Sequence, residues 1–126
     1  MKEEYLHQDL TSEIIGCFYD VYNKLGFGFL EKVYENALKH LLEQKGFDVQ
    51  KQKAIKVYFD NVIVGEYFAD LIVNDTVILE LKAAESLREE HNLQLINYLK
   101  ATNIEVGLLL NFGKKPQVRR KIFTNK

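Results

Sequence analysis

The chain has 126 residues, a formal net charge of −1, 47% hydrophobic and 28% charged residues, and one cysteine. This length suits a single domain over residues 1–126 with one real core, and the composition is that of a folded chain. A lone Cys17 excludes an intrachain disulfide and a cysteine-built zinc site. No apolar run reaches the roughly 18 residues of a membrane span, and the N-terminus lacks the apolar stretch of a signal peptide, so no membrane partner is expected and the cytoplasm is the simplest location. The near-neutral charge argues against tight, sequence-independent binding of long duplex nucleic acid by a broad basic surface.

Residues 11–25 read as a helix, because Ile14, Ile15, Phe18, Val21, Tyr22 and Leu25 recur on one face. Thr11 is placed as its N-cap, with Leu10 and Ile15 as a hydrophobic staple, and Gly26-Phe27-Gly28 ends it. A second helix is expected over 30–45, with Leu30, Val33, Tyr34, Ala37, Leu38, Leu41 and Leu42 as its apolar arc. On a helical wheel Glu31 falls inside that arc and Glu35 at its edge. An acid there has two readings: favourable placement near a helix N-terminus, or a role in a site.

Strands follow at 47–59, 62–73 and 77–83. Asp60-Asn61 is the turn between the first two, and Gly65 is a candidate bulge. Residues 86–101 read as a helix, with Ser86 and Glu89 suggesting a capping box. Its Leu93, Leu95, Ile96 and Leu99 form a broad apolar arc, and His91, Gln94 and Tyr98 a separate polar stripe. The apolar run 104–112 predicts a buried strand reached by a βαβ crossover. Residues 118–123 suggest an edge strand, among the cations Lys114, Lys115, Arg119, Arg120 and Lys121, which read either as a solvated tail or as phosphate contacts.

The hairpin at 66–83 carries the most unusual chemistry. Asp70, Glu80 and Lys82 interrupt runs of Val, Ile, Leu and Phe. Side chains alternate along a strand, so Glu80 and Lys82 share a face. Asp70 joins them only if the connection is odd in length. A three-residue loop over Asn74, Asp75 and Thr76 sets Asp70 opposite Glu80, and Asn tolerates the left-handed conformation such a loop needs. Buried unpaired charges are costly and paired carboxylates repel. Two arrangements resolve this: a cross-strand salt bridge to Lys82, or a cation between the acids, for which oxygen ligands suit Mg²⁺ or Mn²⁺.

The order ααβββαβ, with Asp on the second core strand and Glu-x-Lys on the third, resembles the PD-(D/E)XK nuclease superfamily. Its closer match is the GxxExxY family, whose string stands here as Gly28-Phe-Leu-Glu31-Lys-Val-Tyr34. The resemblance runs from about Leu10 to Phe123. It implies an α/β fold with a restriction-endonuclease-like core: a mixed sheet of four or five strands flanked by helices. It further implies that Asp70 and Glu80 bind Mg²⁺ or Mn²⁺ with support from Glu31, and that Lys82 stands beside the attacking water. Gln94 and Tyr98 resemble the Gln-x-x-x-Tyr of the RecB-like branch, which assists the site or contacts DNA. Ala69 stands where the superfamily name has proline. The expected function is metal-dependent hydrolysis of phosphodiester bonds in nucleic acid, DNA ahead of RNA. The alternative is a non-cleaving module that binds nucleic acid or protein, with protein partners or a second copy of the chain completing it.

Overall fold

The computed structural model describes residues 6–124. Three helices and five strands follow in the order α1 (Gln8–Leu25), α2 (Glu31–Gln44), β1 (Val49–Phe59), β2 (Val62–Val73), β3 (Val77–Lys82), α3 (Glu89–Lys100), β4 (Val106–Phe112) and β5 (Pro116–Ile122). The strands form one mixed sheet in the order β1-β2-β3-β4-β5. Only β3 and β4 run parallel, joined through α3, which is the expected crossover; the other neighbours are antiparallel.

Helices cover both faces. Ile14, Phe18, Tyr34 and Leu38 from α1 and α2 pack on Leu71, Leu79, Leu108 and Leu110. Leu95, Tyr98 and Leu99 of α3 pack on Ile72, Ile78 and Leu109 of the other face. β3 and β4 are buried along nearly their whole length, as a parallel pair between two helical layers must be.

The helix starts differ from their sequence expectations. α1 begins at Gln8 with His7 as N-cap. Thr11 is buried within the helix, and its hydroxyl donates to the Gln8 carbonyl (3.1 Å). Once the chain has turned at His7, upstream residues supply the first helical turn, and Thr11 is left to bond backward. α3 begins at Glu89, not near Ser86. Its N-cap backbone N–H, on Arg88, donates to Nδ1 of His91 (3.1 Å). His91 thus serves the helix start, and the Ser86–Glu89 box does not form.

Tyr34 explains much of the Gly28–Tyr34 string. Its hydroxyl donates to the Gly26 carbonyl (2.7 Å) and accepts from the Phe29 N–H (3.2 Å), and its ring stacks on Phe112 at 4.3 Å. Gly28 has φ 113°, a conformation suited to glycine. The string therefore folds the α1–α2 connection back over the sheet.

β1 and β2 turn over partway along. Val49, Leu71 and Val73 lie in the α1–α2 core, whereas Ile55 and Ala69 lie in the α3 core. Residues separated by an even number would share a face in a regular strand. The ladder pairs Lys51 with Leu71 and Lys53 with Ala69 but omits the intervening Gln52 and Asp70. Gln52 has φ 52°, a left-handed backbone costing about 1–3 kcal/mol for a non-glycine residue. Beyond this point the two strands continue as an exposed arm, with a register shift next to Gly65. The arm ends in a two-residue turn whose Asp60 and Asn61 both have positive φ, the geometry of a tight hairpin.

Candidate active site

The β2–β3 connection has the odd length that the charges require. Val73 pairs with Val77, Ile72 with Ile78 and Leu71 with Leu79, leaving Asn74, Asp75 and Thr76 as the loop. Asn74 and Asp75 both have positive φ. The Asn74 side chain accepts from the Asp48 N–H (2.9 Å), and the Thr76 N–H returns to the Val73 carbonyl (2.9 Å). These bonds hold the register that sets position 70 opposite position 80.

At that point the ladder gives way to side-chain bonds. The Asp70 N–H donates to Oε2 of Glu80 (2.9 Å), and the Leu81 N–H donates to Oδ2 of Asp70 (2.8 Å). Each carboxylate thus takes a backbone donor of the opposite strand, and the two strands form a fork with both acids at its opening. Backbone donors favour the charged form of a carboxylate. Glu80 is only 4% exposed, however. Burial, then the Asp70 charge, pushes its carboxyl up to about 8, against the pull of the Asp70 N–H and the Lys82 ammonium. Lys82, half-buried one step along the strand, acts on Glu80 as a nearby positive charge.

The acid that α2 brings to this fork is Glu35. The first turn of α2 is exposed at Leu30, Glu31, Lys32 and Val33, while Tyr34, Glu35, Leu38 and Leu42 face inward. Glu31, the α2 acid expected to support the metal site, therefore lies exposed at the start of the helix, and Glu35 is the α2 acid linked to Asp70, through Gln52. A helical wheel places both acids near one arc, but cannot say how far along the helix the sheet beneath extends. Glu35 is 6% exposed. Its carboxyl is raised by burial and by the Asp70 charge, opposed by bonds from Gln52 and the charge of Lys51.

Gln52 escaped the sequence reading. Its amide donates to Oε1 of Glu35 (3.1 Å) and to Oδ1 of Asp70 (3.3 Å), so the left-handed residue of β1 links the two acids. Lys51 approaches Glu35 Oε2 at 3.7 Å and donates to Asn36 Oδ1 (2.6 Å). The one available signal was a Lys-Gln-Lys run, and with Gln50 and Lys56 also polar in the same strand nothing marks position 52.

Of the α3 residues, Tyr98 is buried in the core between α3 and the sheet, and Gln94 is half-buried. The Tyr98 phenol is pushed up to about 12, by burial first and then by the charges of Glu80 and Asp70. Its ring lies 5.7 Å from that of Tyr67. Gln94, one turn earlier, lines a groove between α3 and the arm. The loop after Lys82 is anchored from beneath: the buried Asn111 accepts from the Ala84 N–H (2.9 Å) and donates to its carbonyl (3.0 Å). A side chain at Gly113 would collide with that same carbonyl.

The donor set is all oxygen, and two acids held against their mutual repulsion suit a hard divalent cation. Among the described residues no three His, Cys, Asp or Glu side chains form a metal-holding group by themselves. Mg²⁺ does not require one, since it is commonly held by one or two carboxylates with water and substrate phosphate completing the shell.

A mixed sheet between helices, with an acidic fork between its second and third strands, defines a restriction-endonuclease-like α/β domain. A family model described as the PD-(D/E)XK nuclease superfamily matches residues 8–121, and the chain belongs to that superfamily. The crystal structure of SSO0001 is similar in fold, with a TM-score of 0.57 and 18% identity over 75% of this chain and 50% of that one. This chain thus spans about half the length of that protein. No curated protein matches the sequence significantly. Among the described residues no helix is long and apolar enough to cross a membrane.

Proposed function

We propose that the protein is a divalent-metal-dependent nuclease of the GxxExxY type, acting on phosphodiester bonds of nucleic acid, DNA ahead of RNA. The observation that carries this reading is the fork itself: Asp70 and Glu80 face one another across β2 and β3, each fixed by a backbone N–H of the other strand. A salt-bridge network would place Lys82 between the acids. Here backbone donors hold them, and Glu80 remains raised to about 8.

In this reading Asp70 and Glu80 hold the cation, and Glu35 supports Asp70 through Gln52. A bound Mg²⁺ or Mn²⁺ supplies an acidified water and offsets charge on the scissile phosphate. Lys82, on the same strand as Glu80, orients the attacking water and stabilises negative charge as it develops on the phosphate. Tyr98 closes the α3 side of the fork with a phenol that keeps its proton, and so can donate a hydrogen bond to substrate. Membership of the GxxExxY group is supported by Gly28 and Tyr34, which build the α1–α2 connection. The cytoplasm is the proposed location.

The test is cleavage of labelled single- and double-stranded DNA and RNA by the purified protein with Mg²⁺ or Mn²⁺, beside Asp70→Ala and Lys82→Ala. Metal-dependent cleavage lost in both variants is the expected outcome. Absence of cleavage on every substrate, with no heat on titrating Mn²⁺ into the protein, would leave a non-cleaving binding module as the better description.

A further inference from the structure

Beside the fork runs a groove of about 700 Å³ that the proposed chemistry does not use. It lies between α3 and the β1–β2 arm, lined by Lys56, Tyr58, Tyr67, Gln94, Asn97 and Lys100 among others. We propose that this groove binds single-stranded nucleic acid and leads it to the Asp70–Glu80 fork, an inference that rests on the nuclease reading for its direction and not for the binding itself.

The residue types match what a single strand presents. Lys56 and Lys100 are exposed cations for backbone phosphates. Tyr58 is 60% and Tyr67 49% exposed, large fractions for aromatic side chains with no catalytic position. An aromatic face stacks on any unpaired base, worth about 1–3 kcal/mol per base. Gln94 and Asn97, one turn apart on α3, offer amide donors and acceptors toward base edges. Glu90 also lines the groove, but Arg88 Nε sits 3.0 Å from its carboxylate, so the balance of charge stays positive although the whole chain is slightly acidic.

Chemistry and continuity point the same way. Stacking needs an unpaired base, which a duplex does not offer without being opened. The groove also connects to the fork, since Tyr67 lines it and its ring lies 5.7 Å from that of the buried Tyr98. Tyr67 also stands three residues before Asp70 on β2, so a strand stacked on it lies beside the fork.

The experiment is fluorescence anisotropy of a labelled oligothymidylate, and of a labelled duplex, against the full chain in EDTA, where nothing is cut. Expected is single-strand binding at least about tenfold tighter than duplex binding. Lys56→Glu and Lys100→Glu should each weaken it and lower the salt slope by about one. Tyr58→Ala should weaken it about fivefold or more with the slope unchanged. Circular dichroism melts of the four proteins show that each variant is folded, and exposed Tyr58 and Lys56 are tolerant positions. Duplex binding equal to or tighter than single-strand binding overturns the inference, as do groove variants that bind like the wild type. Groove-dependent binding without any cleavage sinks the nuclease reading alone. Cleavage with groove variants binding normally sinks the groove alone.

Discussion

The two ends of β2 make different structures from similar residues. From Leu71 to Val73 the strand is buried between helical layers; from Val62 to Phe68 it is almost wholly exposed, although Val62, Ile63, Val64, Tyr67 and Phe68 are all large and apolar. Hydrophobicity does not distinguish the ends. What does is whether a third strand lies alongside. β3 pairs only with residues 71–73 of β2, so the arm beyond has β1 as its one strand partner. Asp70 stands at the boundary, where β3 departs and backbone donors are released from the ladder to bind carboxylates. The lesson is that the acidic site lies where the sheet opens, and Gln52 turns the ribbon over at that same level.

The largest effect is expected at the boundary. Asp70→Ala should lower metal-dependent cleavage by about a thousandfold or more, the scale on which removal of a group stabilising transition-state charge is felt, with the circular dichroism spectrum retained. A variant that cuts normally would break the link between strand departure and chemistry.

The comparison itself is tested by truncating each end. Leu71→Ala should cost about 2–5 kcal/mol in urea unfolding, because it opens a cavity in a closed core. Val64→Ala on the arm should stay within about 0.5 kcal/mol. Equal losses would mean that the arm is covered in solution.

The next effect concerns protons. Glu80 titrates near 8 in the folded protein, above its ordinary 4.5. The native state thus holds a proton that the unfolded chain has released, and metal-free stability should fall as pH rises from about 4.5 to about 8, then level off. Glu80→Gln should flatten that slope in EDTA and raise stability at pH 8 by an amount on the order of a few kcal/mol, read as a higher Tm. Added Mg²⁺ should raise Tm of the wild type and not of the variant. A variant whose pH profile parallels the wild type would show that the two acids are not in conflict.

Smaller effects sharpen the assignment of the supporting acid. Gln52→Ala should raise the Mn²⁺ concentration for half-maximal heat by about tenfold, the range seen when partners of metal ligands are removed. Glu35→Ala should act in the same direction. Glu31→Ala should change neither metal binding nor Tm measurably, and a metal-binding loss as large as that of Glu35→Ala would reverse the assignment.

The sequence by itself determined the order of elements and the crossover from β3 to β4, and it allowed the odd loop that sets Asp70 across from Glu80, which the ladder then decided. These are local properties: periodicities of two and 3.6, and turn residues able to take positive φ at Asn74 and Asp75. Only the tertiary structure linked Glu35 to Asp70 through Gln52, since that depends on how α2 docks against β1 and β2. It alone placed Gln52, whose part comes from a left-handed backbone in a strand that alternation treats as regular. It also decided that α3 starts at Arg88 and His91, a choice between competing caps made when the helix docks. Residue patterns report which face of an element is apolar; the position along that face at which a neighbouring layer stops is settled by packing between segments far apart in the chain.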